Sequence, residues 1–185
     1  MSYMLDIVGS FIIGGLLLLL VMSSYTNVNE FALTSSINLV VQENLKEWTQ
    51  IVQHDIRKIG YHVSDTLNAI LICDTSSISF LADIDNNGSV DSISYLLGTP
   101  DQVPGTENPR DRMLYRQVND QQTGGSLGLT EFQFKYFDAD GHLTWVPAEI
   151  KAVEVFIQVE SQFPLDTTYI RSNWRGVITP LNLRF

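Results

Sequence analysis

The residues best equipped for chemistry lie in one short run, Asp83-x-Asp85-x-Asn87-Gly88-Ser89-x-Asp91. Oxygen-bearing side chains at alternate positions, with a glycine for the sharp turn, match the first nine positions of an EF-hand-like calcium loop, because a hard cation is satisfied by carboxylate and carbonyl oxygens wrapped tightly around it. At the twelfth position, where such loops place a bidentate glutamate, this chain has Ser94. Asp83, Asp85, Asn87 and Asp91 are therefore candidate calcium ligands, weighed against a plain acidic hairpin turn. No cofactor is expected, and calcium is the single one for which the chain offers a ligand pattern. The run Asp138-Ala-Asp-Gly141 reads as turn chemistry alone, since that is what two carboxylates before a glycine ordinarily mark.

Catalytic patterns are missing. Cys73 follows Ile70-Leu-Ile, an apolar stretch where a buried, inert thiol is expected. His54, His62 and His142 share no metal-ligand spacing. There is no G-x-S-x-G, H-E-x-x-H or P-loop, and Gly124-Gly125-Ser126 lacks the lysine and following helix that phosphate cradling needs. No enzyme is expected. The chain of 185 residues has 44% hydrophobic and 17% charged residues, the composition of a folding protein. Its 11 Lys and Arg against 21 Asp and Glu give a net charge of -10, which argues against nucleic acid as a partner. One cysteine allows no intrachain disulfide and no paired-cysteine zinc site.

The elements that position these residues begin with the apolar run Ile7 to Met22, in a stretch with no charged side chain between Asp6 and Glu30. It is just long enough to cross a bilayer as a helix. MSYMLD has no basic residue and Met22-Ser-Ser-Tyr25 is a poor cleavage site, so the run reads as a retained span and not as a removed signal. The first basic residue, Lys46, lies too far along to set orientation. No proline occurs before Pro100, and from Phe31 apolar residues recur at helical spacing through Ile37, Val41, Leu45, Trp48, Val52, Ile56 and Ile59. Glu43, Lys46, Glu47, Gln50, Gln53 and Asp55 fill the other faces. One helix is expected from about Asp6 to Ile59, roughly 80 Å long at 1.5 Å per residue, capped by Gly60. Ser23 to Asn27 is its weakest stretch. Asp6 has two readings: a partner supplied from another chain, or simple placement at the positive end of its own helix. Gly9, Gly14 and Gly15 likewise suit close helix approach in a bundle or ordinary membrane-helix glycine.

After Gly60 the pattern alternates with period two. Ser77 to Ala82 and Val90 to Leu97 read as a hairpin around Asp83 to Gly88, Thr99 to Arg112 as a loop, and Met113 to Val118 as a strand before a break at Gly124-Gly125. Leu129 to Phe137 is expected to turn at Asp138 to Gly141 and return through His142 to Val146. A strand over Ile150 to Glu160 and a closing segment, Val177 to Leu183, follow. Trp145 and Trp174 are expected in sheet packing or at a subunit contact. The fold class is α+β: residues 1–60 form a hydrophobic then amphipathic N-terminal helix, and residues 61–185 an antiparallel β-rich head.

Several phrases in this order resemble the type IV pilin-like superfamily, and more specifically its J-type minor pseudopilins. They are His54 to Tyr61 (HDIRKIGY), Phe80 to Gly88 (FLADIDNNG), Leu114-Tyr-Arg116, Phe132 to Asp138 (FQFKYFD), Val153 to Ile157 (VEVFI) and Thr179 to Leu183 (TPLNL). The resemblance implies a pilin-like filament subunit, held in the inner membrane by its helix before assembly and then packed through that helix against copies of itself or other pilin-like subunits, in a periplasmic or extracellular filament. Family precursors carry a basic leader ending in glycine and a glutamate at the fifth mature position; written from Met1 this chain has neither. Counted from Ser2, Asp6 is the fifth residue, and counted from Met1 it is the sixth. The alternative function is a single-pass, membrane-anchored β domain that binds a partner or scaffolds an envelope complex without polymerising.

Overall fold

A computed structural model describes residues 2–103 and 105–183. Met1, on which the position of Asp6 in the counting turns, lies outside the described residues. Helix α1 spans Ser2–Arg57. It starts before Asp6 and closes two residues short of Ile59, tightening at the end as Lys58 N–H donates to the Asp55 carbonyl at 3.0 Å and Ile59 N–H to the Ile56 carbonyl at 3.3 Å. Ser23 to Asn27 does not break it; the Thr26 hydroxyl donates back to the Ser23 carbonyl at 2.9 Å within the helix.

The chain separates into two compact units, residues 1–39 and 40–185. From Ser2 on, the first unit is helix, and none of its described side chains is buried. Phe11 and Leu16 to Leu20 all stand exposed, and the helix is long and apolar enough to cross a membrane.

In the second unit the last turns of α1 present Val41, Leu45, Trp48, Val52 and Ile56 as a buried stripe at the expected spacing. Two antiparallel sheets complete it. The larger runs β1 (Ile70–Cys73), β2 (Ser77–Ala82), β3 (Asp91–Leu97), β4 (Leu114–Val118) and β5 (Gln121–Gly125), adjacent in chain order. The smaller is β6 (Leu129–Phe137), β7 (Ala152–Glu160) and β8 (Arg171–Ile178). Alternation places Phe80, Ile93 and Tyr95 of the first sheet, and Phe132, Phe134, Val155 and Ile157 of the second, in the core. Each such side chain contributes about 1.5–3 kcal/mol by leaving water.

Asp55 corrects the helical pattern. It is not on a polar face but 1% exposed beside Ile56, accepting from the Tyr95 hydroxyl at 2.5 Å and from Arg116 Nε at 2.6 Å. Gly60 has φ +77° and donates its N–H to the Leu81 carbonyl at 2.9 Å, tying the helix exit to β2.

Three strand expectations also change. Gly124-Gly125 is not a break but the end of β5, because the Tyr115 ring lies over Gly124, opposite it in the ladder, and a Cβ there would be 3.0 Å from Tyr115 Cδ1. The return through His142 to Val146 forms a single bridge, Phe137 to Leu143; Pro147 then turns the chain, and β7 takes the full ladder with β6. The closing strand begins at Arg171 instead of Val177, with the Trp174 ring covering Gly176 on the same face.

Candidate functional site

Three places bring together residues singled out above, the third being the turn of Asp138, Asp140 and His142, whose side-chain ligand atoms lie within 4.8 Å of one another. The first lies on the N-terminal half of α1, where Asp6, Ser10 and Gly14 follow at four-residue intervals and therefore share a face. Tyr3, Ile7, Phe11, Gly15 and Leu18 complete a shallow apolar groove along that face. Gly9 lies outside this lining. A Cβ at Gly9, Gly14 or Gly15 would meet nothing within 4 Å, so no contact inside this chain requires glycine there. The Ser10 hydroxyl donates to the Asp6 carbonyl at 2.8 Å, which satisfies its donor within the helix. The Asp6 side chain is exposed and stands a full turn inside the helix, which has no acidic residue in its first turn. Dipole stabilisation decays within that turn, so it accounts poorly for a carboxylate at this position.

The second place is the turn between β2 and β3. The carboxylate oxygens of Asp83, Asp85 and Asp91 come within 4.8 Å of one another. Asp83 is buried, with Oδ1 accepting from the Asn87 N–H at 3.0 Å, Oδ2 from the Gly88 N–H at 3.0 Å, and His62 Nδ1 2.8 Å from Oδ2. Burial acts to raise its pKa, but the Gly88 amide, His62 and the Asn87 amide outweigh that and hold it below its ordinary value. Asp91 accepts from the Ile84 N–H at 3.1 Å and from Asn119 Nδ2 at 2.7 Å. Lys58 Nζ donates to the Ile84 carbonyl at 2.7 Å and to Asn86 Oδ1 at 3.0 Å, placing an ammonium against the loop.

Of the four candidate calcium ligands, three carboxylates converge. Asn87 is engaged within the turn: its Oδ1 accepts from the Ser89 N–H at 2.7 Å, and its amide donates to Asp85 Oδ2 at 2.9 Å. Ser94 lies along β3 with its hydroxyl on Ser79 at 2.9 Å. Asp83, Asp85 and Asp91 together could offer carboxylate oxygens to a hard cation, in a loop whose shape its own amides already maintain.

Lys58, His62 and Asn119 were not legible as members of this loop. His62 carries φ +58° and stacks on Tyr61, features of the folded backbone that spacing along the chain does not disclose. Cys73 is half-buried and not in the core, with its thiol donating to the Trp145 carbonyl at 3.2 Å. Burial, then the neighbouring Asp74, push its pKa up, against the thiolate form a nucleophile needs. No family model and no curated protein matches the chain.

Proposed function

We propose that this chain is a structural subunit of a type IV pilus-like or pseudopilus filament. It polymerises through the first half of α1, against copies of itself or other pilin-like subunits, after residing in the inner membrane as a single-pass protein. The observation that carries this is an exposed apolar helix on which Asp6, Ser10 and Gly14 share a face. Leucine side chains in that number are tolerated only in lipid or against other helices, and a carboxylate among them seeks a partner charge or donor. A filament core of parallel helices supplies both, with the neighbouring subunit's amino terminus as the partner. The antiparallel head and the ordered local phrases along the chain accord with the same architecture.

The test is electron microscopy of filaments sheared from native cells, with mass spectrometry of the filaments seen. Filaments containing this chain, lost on Asp6→Ala while the protein remains in the membrane, are the expected result. A chain found only in the detergent-soluble membrane fraction, with filaments that lack it, overturns the assembly role and favours a membrane-anchored partner-binding domain. Normal filaments from Asp6→Ala would remove the pairing role of Asp6.

A further inference from the structure

β1 is an edge strand, and its pairing with β2 shifts register between Ile70 and Ile72. In a regular strand Leu71 and Ile72 would point to opposite faces; with the irregularity both are exposed. Leu143, Trp145 and Val146 add to them, and all five are between 49% and 61% exposed. The two segments adjoin, because the Cys73 thiol reaches the Trp145 carbonyl and the turn Pro147–Glu149 packs on β1. Trp145 is held edge-on to the buried Tyr136 ring, centroids 5.5 Å apart. Single exposed apolar residues need no explanation, but five together with a braced tryptophan form the kind of patch that partners cover.

The rim decides which partner. Residues 65–74 and 138–149 contain Asp65, Asp74, Asp138, Asp140 and Glu149 and no Lys or Arg; Lys151 follows just beyond. A second copy of this face would bring the same acids against them, from a chain of net charge -10. An anionic membrane surface is repelled for the same reason. We propose that the face made by Leu71, Ile72, Leu143, Trp145 and Val146 docks a different polypeptide, apolar at the centre of its contact and carrying Lys or Arg at its rim. This goes beyond assembly through α1, since it concerns the second unit alone and stands whether or not the helix polymerises.

The test places the photo-crosslinker p-benzoylphenylalanine at Leu143 or at Val146 of the full chain in its native cells, with the exposed Asn173 of β8 as control position. Expected are adducts to a different chain from positions 143 and 146 and not from 173, with fragment masses placing the attachment in an apolar segment flanked by Lys or Arg. Adding Trp145→Asp or Asp74→Lys cuts the adduct yield by about tenfold, as loss of an interface anchor or rim charge should. The Asp74 side chain is exposed, so with Asp74→Lys the thermal midpoint of the purified protein stays at the parent value, which separates lost docking from lost fold. Adducts solely between copies of this chain, adducts solely to lipid, no adduct above the control, or a yield indifferent to Asp74→Lys each overturn the proposal.

Discussion

A carboxylate within an apolar helical stripe is expensive unless polar partners meet it, and Asp55 meets three, His54 Nδ1 lying 3.1 Å from its Oδ1. Tyr95, forty residues away, and Arg116, sixty-one away, converge on Oδ2. Burial and then the Asp55 charge push the Tyr95 hydroxyl well above its ordinary value, so it stays a donor at any working pH. Removing the acceptor by Asp55→Ala strands both donors, and urea unfolding should show a loss of about 3 kcal/mol, the low end for a broken buried pair because Arg116 keeps some water contact. Tyr95→Phe removes one neutral donor and should cost about 1–2 kcal/mol. Asp111 shows the opposite balance. It is buried, with Oδ2 accepting from the Thr106 hydroxyl at 2.5 Å and Oδ1 unpaired among the described residues. Burial raises its pKa, the Thr106 hydrogen bond opposes this, and the nearby Glu160 adds to the rise. A folded-state value above the ordinary 3.8 means Asp111 costs stability as pH climbs from there through the raised value. Asp111→Asn should therefore unfold later than wild type, by a margin that opens above pH 3.8, widens through the folded-state value and then levels off. A margin constant from pH 3 to 8 would show that ionisation of Asp111 is not the cause. In the β2–β3 turn, where amides already hold the carboxylates, a calcium chelator should leave the thermal midpoint unchanged, whereas Asp83→Ala should lower it. The acidic turn was legible because its members are neighbours in the chain. The Asp55 cluster was not, although an acid three residues beyond Val52 and next to Ile56 was a visible irregularity in the stripe.

Elements were readable in proportion to how far one periodicity ran without help from elsewhere. α1, β6 and β7 each carry long, uninterrupted patterns, and tertiary packing agrees with what propensity already favours. β5 and β8 have glycines where a strand needs side chains, and the rings of Tyr115 and Trp174 supply the missing cover. Such cover comes from a cross-strand neighbour for β5, so local composition read it as a break. β1 is short, and its irregular pairing hides the alternation. The two halves of α1 follow different physics and should respond differently to the same kind of change. Ile56 is fully buried, so Ile56→Ala should lower the free energy of unfolding by about 2–5 kcal/mol. Leu18 is 60% exposed, and Leu18→Ala should leave unfolding of the second unit where it was, within about 0.5 kcal/mol. A large loss from Leu18→Ala in detergent solution would mean that the first half of the helix has a folded partner inside the chain.

For the molecule as a whole, the separation of burial along the chain is the governing fact. Every buried apolar side chain among the described residues falls at Val41 or later, while Ile7, Leu16 to Leu20 and Met22 remain more than half exposed. The hydrophobic effect that folds the second unit therefore owes nothing to the apolar run, and the run owes its stability to lipid or to other helices. Deleting residues 1–27 removes most of the apolar run that is long enough to cross a membrane, and the remaining chain should stay in solution without detergent. The remaining chain keeps the whole stripe from Val41 to Ile56, both sheets and the Asp55 cluster. It also keeps the excess of acids, since the deleted segment contains no charged side chain but Asp6. Mutual repulsion among such acidic molecules favours monomers in dilute buffer. Sedimentation should give one species of monomer mass, and near-ultraviolet circular dichroism should report the packed Trp48 and Tyr95 environments. Urea should unfold the shortened and full chains at the same midpoint in matched detergent. A soluble but molten product, or a midpoint lowered by the deletion, would mean that residues before 28 contribute to the fold itself, and the division of labour along α1 would have to be redrawn.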